Sequence, residues 1–211
     1  AGDPPSQGPG FWELWPKYMD GMKNDMHLGA LRLSIEWSRV FPNADAEKAK
    51  TVADLDAYAD KKAVARYHEM LAGAKQRGLK PLVTLNHYTL PLWLHNGKEC
   101  HEDLANCQDR GWLDPDRLIP AISLYAGFCA EEFGDQVDDW ATLNEPLAVV
   151  LAGYLLPSAD RTNPPAVTDP AAAVSVLFAE AEGHLAMYQA IKEHDPTSRV
   201  GVVDNLVAIA P

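Results

Sequence analysis

Residues 137–146, VDDWATLNEP, are the stretch that decides the fold class of this 211-residue chain. The apolar run WATL is typical of a strand that is buried on both faces. Asn144 and Glu145 place an amide and a carboxylate at the end of that strand, and Pro146 stops the strand because it has no N–H to donate. A carboxyl group that loses water at the mouth of an apolar sheet tends to keep its proton near neutral pH, as a general acid must. The alternative interpretation is a surface glutamate that closes a strand before a turn.

Strands and helices alternate on both sides of this stretch. Apolar segments predict three further strands, at residues 30–40, 80–87 and 198–206. Amphipathic spacing and capping residues predict four helices, at residues 11–29, 60–77, 116–133 and 169–195. Strands that alternate with long helices need right-handed crossovers, so the sequence predicts an α/β domain with a parallel sheet.

The turns and strand ends favour a (β/α)8 TIM barrel over an open, doubly wound sheet. None of the strand-to-helix turns is rich in glycine, so the phosphate-binding fingerprint of dinucleotide domains is absent. Polar and aromatic residues gather at the carboxyl ends of the strands, which is the active face of such a barrel. Those residues are Arg39, His87, Trp93, Glu145 and Asn205. Only four strands are predicted, so residues 1–211 are expected to be a single, partial barrel domain.

Composition and cysteine content limit the partners and the compartment. The chain is 47% hydrophobic and 23% charged, which is typical of a soluble globular protein. A net charge of −12 argues against a nucleic acid or an anionic membrane as partner. Cys100 and Cys107 could form a disulfide, or a poor metal site with His101, and Cys129 falls on the apolar face of a helix. Free thiols in a reducing compartment are the default, so we expect a cytoplasmic protein.

Four motifs occur in an order and at separations that resemble glycoside hydrolase family 1, and most of all its archaeal β-glycosidases. They are SIEWSRVFP (34–42), NHYTLPLWL (86–94), GWL (111–113) and TLNEP (142–146). The segments GPGFWELW (8–15) and DKKAVARYHEML (60–71) are similar to that subgroup as well. The resemblance covers essentially the whole chain. It implies a (β/α)8 barrel, here with about strands 2–5, that cleaves β-linked glucosides or galactosides with retention of configuration and without a cofactor.

The resemblance also implies roles for five residues. Glu145 is the acid/base, which protonates the leaving oxygen and then deprotonates the attacking water. Asn144 is similar to the amide that bonds the 2-hydroxyl of the sugar, and His87 to the histidine that bonds other sugar hydroxyls. Arg32 matches the arginine beside the nucleophile, where a fixed cation keeps that carboxylate ionised. Asn205 falls near a position that the family often fills with asparagine.

Two departures from the family pattern stand out. Tyr88 occupies a position where the family usually has tryptophan. The nucleophile of the family is a glutamate in a Thr-Glu-Asn-Gly motif on the seventh strand, and no such motif occurs in this sequence. Asp204 and Glu36 are replacements by location only. Glu36 could instead form a buried ion pair with Arg32.

Three functions therefore remain open. The first is part of a retaining β-glycosidase that acts on a small carbohydrate. The second is a sugar-binding or assembly half-barrel that pairs with a second copy or with a complementing fragment. The third is a hydrolase from a neighbouring barrel family that also uses Asn-Glu-Pro. No combination of His, Cys and carboxylates has metal-ligand spacing. Trp37 and Trp93 could stack on sugar faces, but large aromatic residues at barrel mouths more often serve packing, and His184 is expected to be structural.

Overall fold

The sheet consists of four parallel strands in the order of the sequence. The computed structural model describes residues 8–205. Its strands are β1 (Ala30–Ser34), β2 (Lys80–Asn86), β3 (Asp139–Asn144) and β4 (Arg199–Val203). All three strand pairs are parallel, with a register irregularity between Ala141 and Asn144 where β3 meets β4. The predicted parallel α/β arrangement is confirmed. The end of the predicted strand 198–206 lies partly outside the described residues.

Helices connect the strands. They are α1 (Phe11–Asn24), α2 (Trp37–Val40), α3 (Val52–Asp56), α4 (Lys61–Gln76), α5 (Gly97–Glu102), α6 (Pro115–Phe133), α7 (Pro146–Val150) and α8 (Pro170–His194). Short 3₁₀ turns occupy Ala44–Lys48 and Gly111–Leu113, and a π-helical turn occupies Leu151–Leu155. The long crossovers α4 and α8 begin where the sequence predicted. Asp60 and Asp169 each accept two backbone N–H bonds at their starts, which satisfies donors that have no partner within the helix.

An aromatic cluster fixes the carboxyl ends of β1 and β2. Trp37 is 2% exposed and stacks in parallel on Tyr125 with ring centroids 4.8 Å apart. The Tyr125 hydroxyl donates to the Ile35 carbonyl oxygen at 2.7 Å. Trp93 packs edge-on against Trp37 and donates its indole N–H to the Phe41 carbonyl oxygen at 3.1 Å. Trp37 is therefore part of the core and Trp93 packs against it, so both serve packing, the commoner of the two expected roles.

The structure differs from the predicted elements in three places, and in two of them a capping side chain competes with the apolar pattern. The predicted strand 30–40 ends at Ser34, since Glu36 accepts the Ser38 backbone N–H and starts α2. Helix α3 was not predicted at all, and it begins with a capping box between Thr51 and Asp54. Helix α1 also ends earlier than predicted, at Asn24.

The expectation of free thiols is wrong for two of the three cysteines. Cys100 and Cys107 form a disulfide, and their Cα atoms are 4.9 Å apart. The Cys100 backbone N–H donates to the Asn96 carbonyl oxygen within the turn before the loop, and the Cys107 backbone N–H donates to the Asp103 carbonyl oxygen within the loop. Cys129 is free and buried. The cytoplasmic location stays a prediction, and this disulfide argues against it because such bonds are rare in reducing compartments.

No helix within residues 8–205 is long and apolar enough to cross a membrane. No group of three or more His, Cys, Asp or Glu side chains in this range is arranged to hold a metal ion.

Candidate active site

The predicted site residues follow the strands to a single edge of the sheet. Arg32 lies within β1, His87 follows β2, and Asn144 ends β3, with Glu145 next in the chain. Because the strands are parallel, their carboxyl ends meet at this edge. The structure thus brings together residues that are more than 110 positions apart in the sequence.

Arg32 connects all three of the first strands. Its Nε donates to Thr84 Oγ1 at 2.8 Å, and its Nη2 donates to Asn144 Oδ1. Thr84 is fully buried and Asn144 is 4% exposed, so both acceptors are fixed by the core. The guanidinium uses its planar, multi-donor geometry, which a lysine cannot reproduce. Since Asn144 accepts through its oxygen, its NH₂ group is directed away from Arg32.

The two acidic residues named as replacements for the nucleophile have other contacts. Glu36 accepts from the Ser38 hydroxyl at 2.7 Å and from the Thr89 hydroxyl at 2.9 Å. The interpretation of Glu36 as the ion-pair partner of Arg32 is therefore wrong. Asp204 is exposed and accepts the backbone N–H of Asn205 at 2.8 Å.

His87 is held as a neutral imidazole. Burial lowers its pKa, the Arg32 charge lowers it further, and the carboxylates of Glu145 and Glu36 oppose this only in part. Its Nδ1 lies 3.0 Å from the Ser34 hydroxyl. When Ser34 donates to Nδ1, the ring proton is on Nε2, which can then act as a donor.

Glu145 is held at a strained position directly after β3. Its φ of 44° and ψ of 62° lie in the left-handed region, which is uncommon for residues other than glycine. Its backbone N–H donates to the Val203 carbonyl oxygen of β4 at 2.6 Å. Pro146 begins α7 at once, and the π-helical turn follows. Strained residues and π-helical turns both concentrate at functional sites.

Sequence reasoning missed the partner of this carboxylate. The hydroxyl of Tyr88 donates to Glu145 Oε2. Tyr88 was noted only as a departure from the family pattern. Its contact with Glu145 depends on a backbone φ of 73° at Tyr88. No residue pattern in the sequence indicates this angle.

Asn205 lies near Glu145, where the sequence analysis located it. Both line a cavity of about 280 Å³ beside α7, with Arg161 at its wall. The rest of that wall is apolar and is formed mainly by Leu147, Leu151 and Leu156. Arg161 was not singled out from the sequence, because an isolated arginine in a proline-rich loop carries no signal.

His184 supports the site from behind. Its Nδ1 lies 2.7 Å from Thr142 Oγ1, and that hydroxyl also donates to the Gly201 carbonyl oxygen at 3.2 Å. Burial lowers the pKa of His184. The histidine therefore ties α8 to β3 and β4 two residues before Asn144.

Four parallel strands with helical crossovers and a polar site at their carboxyl edge define part of a (β/α)8-barrel enzyme. The sequence profile described as glycosyl hydrolase family 1 matches residues 12–211. The chain belongs to that family. This match removes the alternative of a neighbouring Asn-Glu-Pro barrel family.

Individual relatives agree with the family match. A β-galactosidase of Pyrococcus woesei is 33% identical over 238 residues, which cover 100% of this chain and 46% of the relative. The crystal structure of the Thermosphaera aggregans β-glycosidase superposes with a TM-score of 0.86 at 28% identity, over 93% of this chain and 44% of the other. Fpglu1 from Fervidobacterium pennivoraus superposes with a TM-score of 0.84 at 34% identity, over 92% of this chain and 41% of the other. The chain spans less than half the length of these relatives.

Proposed function

We propose that the full-length protein to which this segment belongs is a retaining β-glycosidase that removes terminal β-linked sugars. One observation carries the proposal: Glu145 stands at the carboxyl edge of the sheet, beside an Asn144 amide that Arg32 holds in one orientation. Relatives named β-galactosidase and β-glucosidase support a substrate of this class.

In the first half of the proposed reaction, Glu145 acts as general acid. It gives its proton to the glycosidic oxygen as the sugar–oxygen bond breaks, and the nucleophile, a second carboxylate outside these residues, bonds to the sugar. In the second half, the Glu145 carboxylate takes a proton from water, and that water displaces the nucleophile. The two carboxyl groups of a retaining enzyme stand about 5 Å apart, so the second must reach this same edge of the sheet.

The neighbouring residues bind and orient the sugar. The NH₂ group of Asn144 can donate to the 2-hydroxyl, a contact that strengthens in the transition state. His87 is neutral and can donate from Nε2 to another hydroxyl. Arg32 supplies the fixed positive charge for an ionised nucleophile. Asn205 lines the same cavity as Glu145 and offers an amide to a sugar or its leaving group there.

The test is Glu145→Gln in the full-length protein, assayed with aryl β-glycosides of graded leaving-group ability. Because glutamine cannot donate a proton, kcat/KM should fall by about 10²–10⁴ for poor leaving groups and far less for activated ones. Glu182→Gln, which changes an exposed glutamate on α8, is the matched control and should behave as wild type. A uniform loss for all leaving groups, or no loss, would remove Glu145 from this role.

An assembly function is the second candidate, and exposed apolar side chains favour it. Val174, Phe178 and Leu185 on α8 are 55%, 65% and 55% exposed, and they recur at helical spacing on one face. β1 and β4 are the two edges of the described sheet. Both features need cover from a complementing fragment or from a second copy of the chain. Sedimentation of the 211-residue chain tests this. A chain that stays monomeric and binds no complementing fragment would contradict an assembly role.

A further inference from the structure

The Tyr88–Glu145 contact joins two strained positions. The φ angles are 73° at Tyr88 and 44° at Glu145, and neither residue is a glycine. A bulky side chain in the left-handed region is unfavourable and persists only where surrounding contacts hold it. Here the constraint at each end directs one side chain at the other, and the hydroxyl reaches Glu145 Oε2. The contact is therefore part of how this edge of the sheet is built.

Tyr88 keeps its proton and acts as the donor. Burial raises the pKa of Tyr88, and its hydrogen bond to Glu145 and the charge of that carboxylate raise it further. Asn144 and Arg161 act in the opposite direction without reversing the result. At neutral pH the pair is thus a phenol that donates to a carboxyl group. The charged and titratable groups around it are His87, which is the neighbour of Tyr88, and Arg161 from the loop after α7. Arg32 and Glu36 act on His87 from the β1 side.

We propose that Tyr88 is a positioning residue that holds Glu145 through Oε2 and sets the highest pH at which Glu145 can serve as the acid. This inference rests on the proposed function of Glu145. A donor aimed at a carboxylate stabilises its ionised form. It also selects the other oxygen, Oε1, to carry the transferred proton. The Tyr88 hydroxyl keeps its own proton in both halves of the reaction.

The contact also explains why tyrosine at this position matters. A phenol offers one O–H in line with its ring, so it reaches a carboxylate end-on. The proton moves from Glu145 Oε1 to the leaving oxygen, and in the second half a proton from water returns to the same carboxyl group. Between the two steps the carboxylate carries a full negative charge, and the bond from Tyr88 is then strongest.

The experiment measures the pH profile of kcat/KM for Tyr88→Phe in the full-length protein. Phenylalanine keeps the ring and removes the donor, so the alkaline limb should move upward by about one pH unit. Tyr18→Phe is the matched control, because Tyr18 lies on α1 and its hydroxyl donates to the Pro9 carbonyl oxygen and not to a site residue. Its profile should coincide with that of wild type.

If Tyr88→Phe does not fold, a second variant tests the role of Tyr88. Replacement of Tyr88 by 3-fluorotyrosine keeps size and shape and makes the phenol a stronger donor, so the alkaline limb should move downward. An active, Glu145-dependent enzyme whose alkaline limb stays fixed in Tyr88→Phe, or in the 3-fluorotyrosine variant where Tyr88→Phe does not fold, would overturn the role of Tyr88 alone. A full-length protein without glycosidase activity, or with activity that ignores Glu145→Gln, would overturn the proposed function together with it.

Discussion

Glu180 should make the folded protein lose stability as the pH rises. This residue of α8 is 2% exposed, and its Oε2 has no hydrogen-bond partner within residues 8–205. Burial raises its pKa to about 9, from 4.5 for a free glutamate. The pKa in the folded state is above that in the unfolded state. The stabilisation is therefore complete below pH 4.5 and is lost as the pH rises toward 9.

The magnitude follows from the number of pH units in which only the folded chain keeps the proton. Each unit costs 1.36 kcal/mol, so the two units between pH 5 and pH 7 remove about 3 kcal/mol of unfolding free energy. In Glu180→Gln this loss is absent, because the amide does not titrate. The charge of Glu180 raises the pKa of Tyr154, so the two side chains lie close together inside the fold.

The assay is equilibrium urea unfolding of wild type and Glu180→Gln in the full-length protein at pH 5, 6 and 7. Other titrating groups cancel in the difference between the two proteins. That difference should shift by about 3 kcal/mol in favour of Glu180→Gln over this range. Glu182→Gln, which changes an exposed residue two positions along the same helix, should give no such trend. If the unfolding free energies of wild type and Glu180→Gln changed with pH in parallel, Glu180 would not have a raised pKa in the folded protein.

Two further predictions concern packing and the site. Gly73→Ala should destabilise the protein by about 1–3 kcal/mol, because a Cβ there overlaps the Trp15 ring, and thermal unfolding measures it. Gly29→Ala is the control and should stay within about 0.5 kcal/mol, since nothing lies within 4 Å of its added Cβ. Arg32→Lys should reduce kcat/KM by about tenfold to a hundredfold because the bond that orients Asn144 is lost. An unchanged value would show that the amide needs no such support.

Regular structure was predictable wherever local chemistry and burial agree. The run before Asn144 is apolar and short, and it is a strand. Asp60 precedes an amphipathic segment and caps a helix there. Prediction failed where a side chain overrode the apolar pattern, as Glu36 does when it caps α2. The pairing of Cys100 with Cys107 was one of several options, because spacing alone does not state whether a loop folds back on itself.

The edge on which the site residues lie was predictable, but their contacts were not. Motif order and strand alternation together assigned Arg32, His87 and Glu145 to the carboxyl edge of the sheet. The bond from Arg32 to Asn144 depends on the register between strands, which cannot be predicted from the sequence. The bond from Tyr88 depends on an unusual backbone angle. Both belong to tertiary geometry.

The role of Glu145 as acid/base is tested most directly by adding azide to the Glu145→Gly variant of the full-length protein with an activated aryl β-glycoside. Azide is a small nucleophile that needs no general base, so it can enter the space left by the carboxylate and attack the glycosyl-enzyme. If Glu145 is the acid/base, azide restores turnover and the product is the β-glycosyl azide, because two inversions retain the configuration. An α-glycosyl azide would assign Glu145 as the nucleophile instead, and no response to azide would contradict its role as acid/base.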